Sequence, residues 1–245
     1  RRMTEALAPG TADYWDHRGG IRFGPEATYA NLRRWLEEGN EAELRRVFEG
    51  AAGAEAAQPR RPSRLPMGRV DVQFRQGLVL RRGWLTLGQG TADVLLSGVA
   101  PVAVQALVPR GRPLLAARIT GADASALQPV SSPPDAPEVL DYYRACGFPE
   151  VILYPQGWYQ PLPADPGVCV LWDLVPADGQ SADLYVAAAY GSDAAEGWHN
   201  ARQVLQDAES EGYEALAEAE AGWWRRYWQT CPRLTVPDAT LQEAY

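Results

Sequence analysis

Hydrophobic and polar residues alternate through the middle of the chain, whereas near both ends the hydrophobic residues recur at helical spacing. Val70, Val72 and Phe74 alternate with polar neighbours, which is the pattern of a half-buried strand. Further runs follow at intervals of about 8–12 residues with short turns between them, as in an antiparallel meander or sandwich. These turns are too short for crossover helices, so a parallel α/β sheet is excluded.

The alternating pattern predicts a β-sandwich domain over residues 64–198. Residues 121–137 are rich in Ala, Ser and Pro and predict a loop, and a short helix is predicted at 138–145. The Asp178-Gly179 dipeptide predicts a tight connection between the last two strands. The predicted strands are 70–74, 78–82, 84–87, 92–96, 102–108, 114–120, 151–154, 157–160, 168–174 and 183–189.

Residues 1–63 predict an N-terminal loop and a helical hairpin. Pro25 suits a first helical position and Gly39 suits a helix end. Asn40 and Glu43 resemble a capping box for a second helix, which runs to Gly50. Residues 51–63 lack periodicity and predict a loop.

Residues 199–245 predict linker helices. The pattern is compatible with a continuous helix from Asn200 to about Trp228, with Gly212 on its apolar face. Asp238 then suits the N-cap of one more helix, which has barely begun when the sequence stops. We therefore expect the chain to be a piece of a longer protein.

Composition excludes several functions. The net charge of −8 argues against nucleic acid as a partner. The chain has no lysine, which excludes a Schiff-base lysine and a P-loop lysine. The three cysteines fit neither a disulfide framework nor a zinc site, so we predict no metal or other cofactor and a reducing, cytoplasmic location. A membrane span would need about 18 consecutive apolar residues, and the sequence contains no run of that length.

Candidate catalytic residues are few. His17 and His199 lie in no recognised nucleophile or metal motif. Asp13 and Asp16 are acids among aromatic and basic neighbours, so they are candidates for a glycosidase carboxyl pair or for contact with a sugar. The alternative is structural: Trp15 anchors the loop and Asp16 pairs with Arg18.

The nine tryptophans are candidates for stacking on sugar rings. Most lie in helix or strand patterns and are expected in the core. Those expected in the core are Trp35, Trp84, Trp172, Trp223 and Trp224; the remaining sugar-facing candidates are Trp15, Trp158 and Tyr159.

Three stretches together resemble the amino-terminal region of bacterial (α/α)6-barrel glycoside hydrolases of the α-L-fucosidase-like and maltose-phosphorylase-like kind. Residues 14–20, YWDHRGG, are similar to a Leu-Trp-Asp stretch in these enzymes. Residues 64–72, RLPMGRVDV, resemble the strand that opens their sandwich. Residues 221–228, AGWWRRYW, and 236–245, VPDATLQEAY, resemble the linker in which a Trp-Trp helix leads to a Pro-Asp turn and the first barrel helix.

The resemblance implies a β-supersandwich of galactose-mutarotase-like fold that supports a catalytic barrel starting at about residue 238 and borders its sugar-binding cleft. It places the catalytic residues in that barrel and none in this chain, and it leaves Trp15, Asp16 and Trp158 as substrate-binding candidates. Carbohydrate and the downstream barrel are the expected partners. A stand-alone carbohydrate-binding module, a purely structural sandwich, and catalysis by Asp13 and Asp16 are the alternatives.

Overall fold

The computed structural model describes residues 6–7, 14–18, 24–48 and 63–232. The chain divides into two compact units, Ala12–Pro66 and Arg1–Thr11 with Met67–Tyr245. The strands are β1 Ala6–Leu7, β2 Trp15–Asp16, β3 Ser63–Arg64, β4 Arg69–Phe74, β5 Val79–Thr86, β6 Thr91–Ser97, β7 Val102–Leu107, β8 Leu114–Thr120, β9 Leu127–Ser132, β10 Ile152–Tyr154, β11 Gly157–Gln160, β12 Gly167–Asp178 and β13 Ser181–Gly191. The helices are α1 Tyr29–Glu37, α2 Glu41–Phe48, α3 Pro137–Ala145, α4 Ala194–Glu211 and α5 Tyr213–Thr230, with a 3-10 turn at Ala124–Ala126.

The unit Ala12–Pro66 contains the predicted helical hairpin and the short β2–β3 pair. The prediction that α1 begins at Pro25 is wrong: the helix begins at Tyr29, because the Thr28 side chain caps the backbone N–H of Asn31. The predicted cap of α2 is confirmed, since Asn40 Oδ1 accepts a hydrogen bond from Glu43 N at 3.2 Å. The predicted loop over 51–63 lies almost entirely outside the described residues, as does the predicted helix start at 236–238.

The other unit is built on an eight-stranded sheet in the order β10-β11-β12-β13-β8-β7-β6-β5. Every neighbouring pair is antiparallel, which confirms the mainly β class and the exclusion of a parallel sheet. The two strands predicted at 78–82 and 84–87 are one strand, β5, with an irregularity between Leu80 and Arg82. The Asp178-Gly179 turn joins β12 to β13, and Asp178 Oδ1 accepts from Gln180 N at 2.8 Å.

A smaller sheet has the order β1-β4-β9. β9 lies in the segment predicted as a loop, so that prediction is wrong. β9 is an edge strand, so one of its sides has no neighbouring strand. Pro129 is tolerated in β9 because no backbone N–H is needed for pairing on that side. Leu127, the first residue of β9, is buried.

The small sheet lies against one face of the large sheet. A Cβ added at Gly68, just before β4, would come within 2.7 Å of Trp158 Cζ2 in β11. Trp158 is fully buried there, and so is Val70 of β4. Gly68 has φ +90, a conformation that favours glycine.

Helices α4 and α5 cover part of the opposite face. Ala201, Leu205 and Ala208 of α4 pack with Tyr213 and Leu216 of α5 in one core cluster that includes side chains of β7, β8, β12 and β13. The predicted continuous helix over 200–228 is wrong, because Gly212 adopts φ +82, ψ 156 and separates the two helices. No helix in the described part of the chain is long and apolar enough to cross a membrane.

Candidate functional site

Five side chains form a row across the helix-bearing face of the large sheet. The register pairs Trp84 with Asp93, Asp93 with Gln105, Gln105 with Arg118 and Arg118 with Asp183. Residues paired directly across antiparallel strands project to the same face, so all five side chains stand together. We call this set the polar row.

The polar row lies just beyond the area that the helices cover. Along β7 and β8, Leu107 and Ala116 lie two positions from Gln105 and Arg118 on the same face and belong to the buried core. Trp84, at the end of the row on the edge strand β5, is 40% exposed. Its expected place in the core is therefore wrong: a large indole remains partly open to solvent beside polar groups.

Asp93 is held by three donors. Its Oδ2 accepts from the hydroxyls of Thr86 at 2.8 Å and Thr91 at 3.0 Å, and its Oδ1 accepts from Gln105 Nε2 at 2.8 Å. Three such bonds fix the orientation of the carboxylate.

Gln105 is oriented from both ends of its amide. Nε2 donates to Asp93, and Oε1 lies 3.1 Å from the hydroxyl of Tyr213, which is also 3.0 Å from the Gln105 carbonyl oxygen. Tyr213 is the first residue of α5 and is buried, and burial is the main cause that raises the pKa of its hydroxyl. The phenol therefore remains a neutral donor that ties the helix to the row.

Arg118 lies at the centre of the site. It forms a bidentate pair with Asp183, with both N···O distances at 2.7 Å, and it also bonds to Glu214 in the first turn of α5. Its guanidinium carbon lies 4.8 Å from the ring centroid of Tyr213. The hydrogen bonds that Arg118 donates, first to Asp183 and then to Glu214, raise the pKa of Arg118, so the group stays charged.

Two cavities meet at Gln105 and Arg118. The first, which we call the α5 groove, has a volume of about 790 Å³ and lies between the sheet and α5. The second, the sheet cavity, has a volume of about 260 Å³ and lies beside Trp84. The α5 groove is lined by Thr86, Gly88, Gln89, Gln105, Arg118, Tyr213, Glu214, Ala217, Glu218, Ala221 and Arg225. The sheet cavity is lined by Trp84, Asp93, Val94, Ala103, Val104, Gln105, Arg118 and Thr120.

The substrate-binding residues predicted from the sequence are not members of the polar row. Asp16 is buried, and its carboxylate accepts from Arg18 N at 3.1 Å, Nε at 2.9 Å and Nη2 at 3.0 Å. The pairing of Asp16 with Arg18 that the structural alternative expects is therefore present. Trp15 is half-buried beside it in β2, and Asp13 lies outside the described residues.

Trp158 belongs to the other compact unit, and its side chain has 0% exposure. It presents no ring face to a ligand, so we do not include it in the candidate site. The neighbouring Tyr159, also considered a sugar-facing residue, is buried, with its hydroxyl 3.0 Å from the Gly191 carbonyl oxygen.

The polar row was missed in the sequence, although a signal for it exists. Asp93, Gln105, Arg118 and Asp183 each interrupt an otherwise largely apolar strand. A polar residue at a core-facing strand position marks a functional or paired group. Aligning β6, β7 and β8 by their turns would have placed Asp93, Gln105 and Arg118 side by side, whereas Asp183 joins them only through the pairing of β13 with β8.

Among the described residues, no group of three or more His, Cys, Asp or Glu side chains is arranged to hold a metal ion. The site therefore consists of an exposed indole and a preorganised set of hydrogen-bonding groups. No protein-family model matches the chain, and no curated protein is detectably similar to it.

Proposed function

We propose that this chain is the non-catalytic, amino-terminal β-supersandwich domain of a glycoside hydrolase, and that it binds carbohydrate at the polar row. In this proposal the domain supports a downstream (α/α)6 catalytic barrel and borders its sugar-binding cleft. The observation that carries the binding role is the placement of the half-exposed Trp84 beside Asp93, Gln105 and Arg118 in one cross-strand register.

This set of groups matches the surface of a sugar. A pyranose has an apolar face that stacks on an aromatic ring and hydroxyls at its edge that both donate and accept hydrogen bonds. Trp84 supplies the ring and the adjacent Asp93 supplies acceptors, while Gln105 and Arg118 supply donors further along the row. Cavities with apolar walls and a few fixed polar groups are the usual form of small-molecule sites.

The acids of the row do not form a hydrolytic pair. Glycoside hydrolysis needs two carboxyl groups on either side of the scissile bond, about 5–10 Å apart. Gln105 and Arg118 stand between Asp93 and Asp183 and bond to them, so no glycosidic oxygen fits there. Glu214 is no better as an acid, since the hydrogen bond from Arg118 lowers its pKa and keeps it ionised. These contacts support a binding role.

Titration of the protein with a panel of neutral sugars, followed by tryptophan fluorescence and calorimetry, tests the binding role. We expect at least one sugar to bind and Trp84→Ala to weaken that binding by about tenfold or more, which corresponds to about 1.4 kcal/mol. Trp198→Ala is the matched control, because Trp198 of α4 is 43% exposed and lies outside the row. Equal affinity in the Trp84→Ala and Trp198→Ala proteins would contradict the site.

The enzymatic context has its own test. We expect the sequence that follows this chain in its gene to encode several hundred residues of helical repeats, and the protein that includes them to hydrolyse aryl glycosides. Hydrolysis by the present chain alone, lost in Asp16→Asn, would overturn the assignment of chemistry to the barrel.

A further inference from the structure

The two cavities adjoin along a shared wall. Gln105 and Arg118 line both the α5 groove and the sheet cavity, and both side chains are fixed by their bonds to Asp93 and Asp183. The two cavities therefore lie side by side, with Gln105 and Arg118 between them.

The combined site is long. From Trp84 to Arg118 it crosses three strand spacings, or about 14 Å at about 4.8 Å each. The α5 wall runs from Tyr213 to Arg225, about 18 Å of helix at 1.5 Å per residue. A single sugar ring fills only a part of this length.

Both arginines that line the two cavities are paired with acids, and Arg82, which lines neither cavity, has its guanidinium carbon 5.1 Å from the centroid of the Trp84 ring. Arg118 is paired with Asp183 and Glu214, and Arg225 Nη2 donates to Glu218 Oε1 at 2.8 Å. Asp93, Glu214 and Glu218 outnumber these two arginines among the lining residues. Like-charge repulsion therefore disfavours an acidic or sulfated ligand.

Resting on the function proposed above, we infer that the site takes a neutral, linear oligosaccharide rather than a single sugar. One unit stacks at Trp84, and the following units extend past Arg118 along α5. Hydroxyl groups are suited to the paired side chains of the α5 groove, because they exchange hydrogen bonds with ion pairs without bringing a charge.

Gly88 offers a way to block only the α5 groove. It lines that groove, a Cβ there would meet no atom within 4 Å, and its φ is not positive. Gly88→Phe therefore places a ring in the groove without strain on the backbone. Gly77→Phe is the matched control, because a Cβ at Gly77 also meets no atom within 4 Å and Gly77 lines neither cavity.

The experiment measures affinity by calorimetry for glucose, xylose and their linear β-1,4- and α-1,4-linked oligomers of two to six units, with oligogalacturonides of the same lengths. We expect affinity in at least one neutral series to rise about tenfold or more from one unit to three, and the oligogalacturonides to bind about tenfold more weakly. Gly88→Phe should abolish the rise and leave monosaccharide affinity unchanged, whereas Gly77→Phe should retain the rise.

Equal affinity for one unit and for three, or tighter binding of the oligogalacturonides, overturns this inference and leaves the proposed binding role standing. A rise with length that survives Gly88→Phe also overturns it, because the added units would then lie outside the α5 groove. Failure of every sugar to bind overturns the proposed binding role itself.

Discussion

Arg118 and Asp183 form a bidentate ion pair across the adjacent strands β8 and β13, with Nε and Nη2 each 2.7 Å from a carboxylate oxygen. The Asp183 side chain is 9% exposed and that of Arg118 is 21% exposed. A pair this buried differs from a surface pair, since removal of one partner leaves a charge in a poorly solvated place. The same arginine also bonds to Glu214, so it ties the sheet to α5 at the centre of the candidate site.

Arg118→Gln should lower the free energy of unfolding by about 3 kcal/mol, because Asp183 loses its partner and stays buried. Replacing both residues, as Arg118→Met with Asp183→Leu, should cost less than the single change. The control is Arg112→Gln, whose pair with Glu211 is more exposed and should contribute at most about 1 kcal/mol. Urea denaturation measures all three, and an Arg118→Gln loss no larger than the Arg112→Gln loss would show that the pair is not stabilising.

Trp158 should affect stability and leave sugar binding unchanged. It is fully buried against Gly68, and its Nε1 has no hydrogen-bond partner among the described residues. Trp158→Ala should lower the free energy of unfolding by about 3–5 kcal/mol through the cavity that it creates. Trp158→Phe should cost less than half of that, because it keeps a ring and removes a buried donor without a partner.

The binding assay on Trp158→Phe decides between a structural and a ligand-binding role. We expect the sugar affinity of this variant to stay within twofold of that of the unchanged protein. A tenfold loss of affinity in a variant that unfolds at a similar urea concentration would restore Trp158 as a substrate-binding residue.

The elements of the large sheet could be predicted because alternation and turn residues are local signals. The strands predicted at 114–120 and 157–160 begin and end at the same residues in the structure. β9 could not be found in this way, since its Pro129 and serines favour a loop and only pairing with β4 makes it a strand. Tertiary pairing overrode a local preference.

Only a part of the candidate site could be predicted: the consecutive hairpins β5-β6-β7-β8 align four of its residues, whereas the place of Asp183 depends on the pairing of β13 with β8. Trp84 and Asp183 are distant in the sequence, and the strand order β13-β8-β7-β6-β5 brings them into one row. Trp158 contrasts with Trp84: it lies in the predicted strand Gly157–Gln160 and is fully buried against Gly68, which precedes β4 of the small sheet. Aromatic residues alone do not distinguish a stacking platform from a core.

The backbone conformation of Gly212 separates helix α4 from helix α5. Its φ +82, ψ 156 lies in a region that is almost restricted to glycine, and a Cβ there would meet no atom within 4 Å. Gly212→Ala should therefore lower the free energy of unfolding by about 1–3 kcal/mol through backbone strain alone. Gly77→Ala, with equal space and no positive φ, should be neutral or slightly stabilising. Equal effects of the two changes in thermal denaturation would show that the α4–α5 junction accepts a helical residue.

Glu209 of α4 makes the stability of this protein depend on pH. Burial and then the neighbouring Asp173 carboxylate raise the pKa of its carboxyl, and Arg202, 4.0 Å from Glu209 and 2.6 Å from Asp173, opposes this shift less strongly. A raised folded-state pKa means that the folded protein holds this proton more tightly than the unfolded chain does. The resulting stabilisation is complete below the unfolded pKa of about 4.3 and is lost as pH rises through the folded value.

Glu209→Gln mimics the protonated carboxyl at every pH, so we expect its free energy of unfolding relative to the unchanged protein to increase as pH rises from 4 to 7. Glu211→Gln is the control. Glu211 lies near the same end of α4 and is paired with Arg112, so its removal should give no gain over this range. Urea denaturation at pH 4, 5, 6 and 7 measures the difference for each variant. A Glu209→Gln difference that is constant with pH, or that falls as pH rises, would mean that folding does not raise the pKa of Glu209.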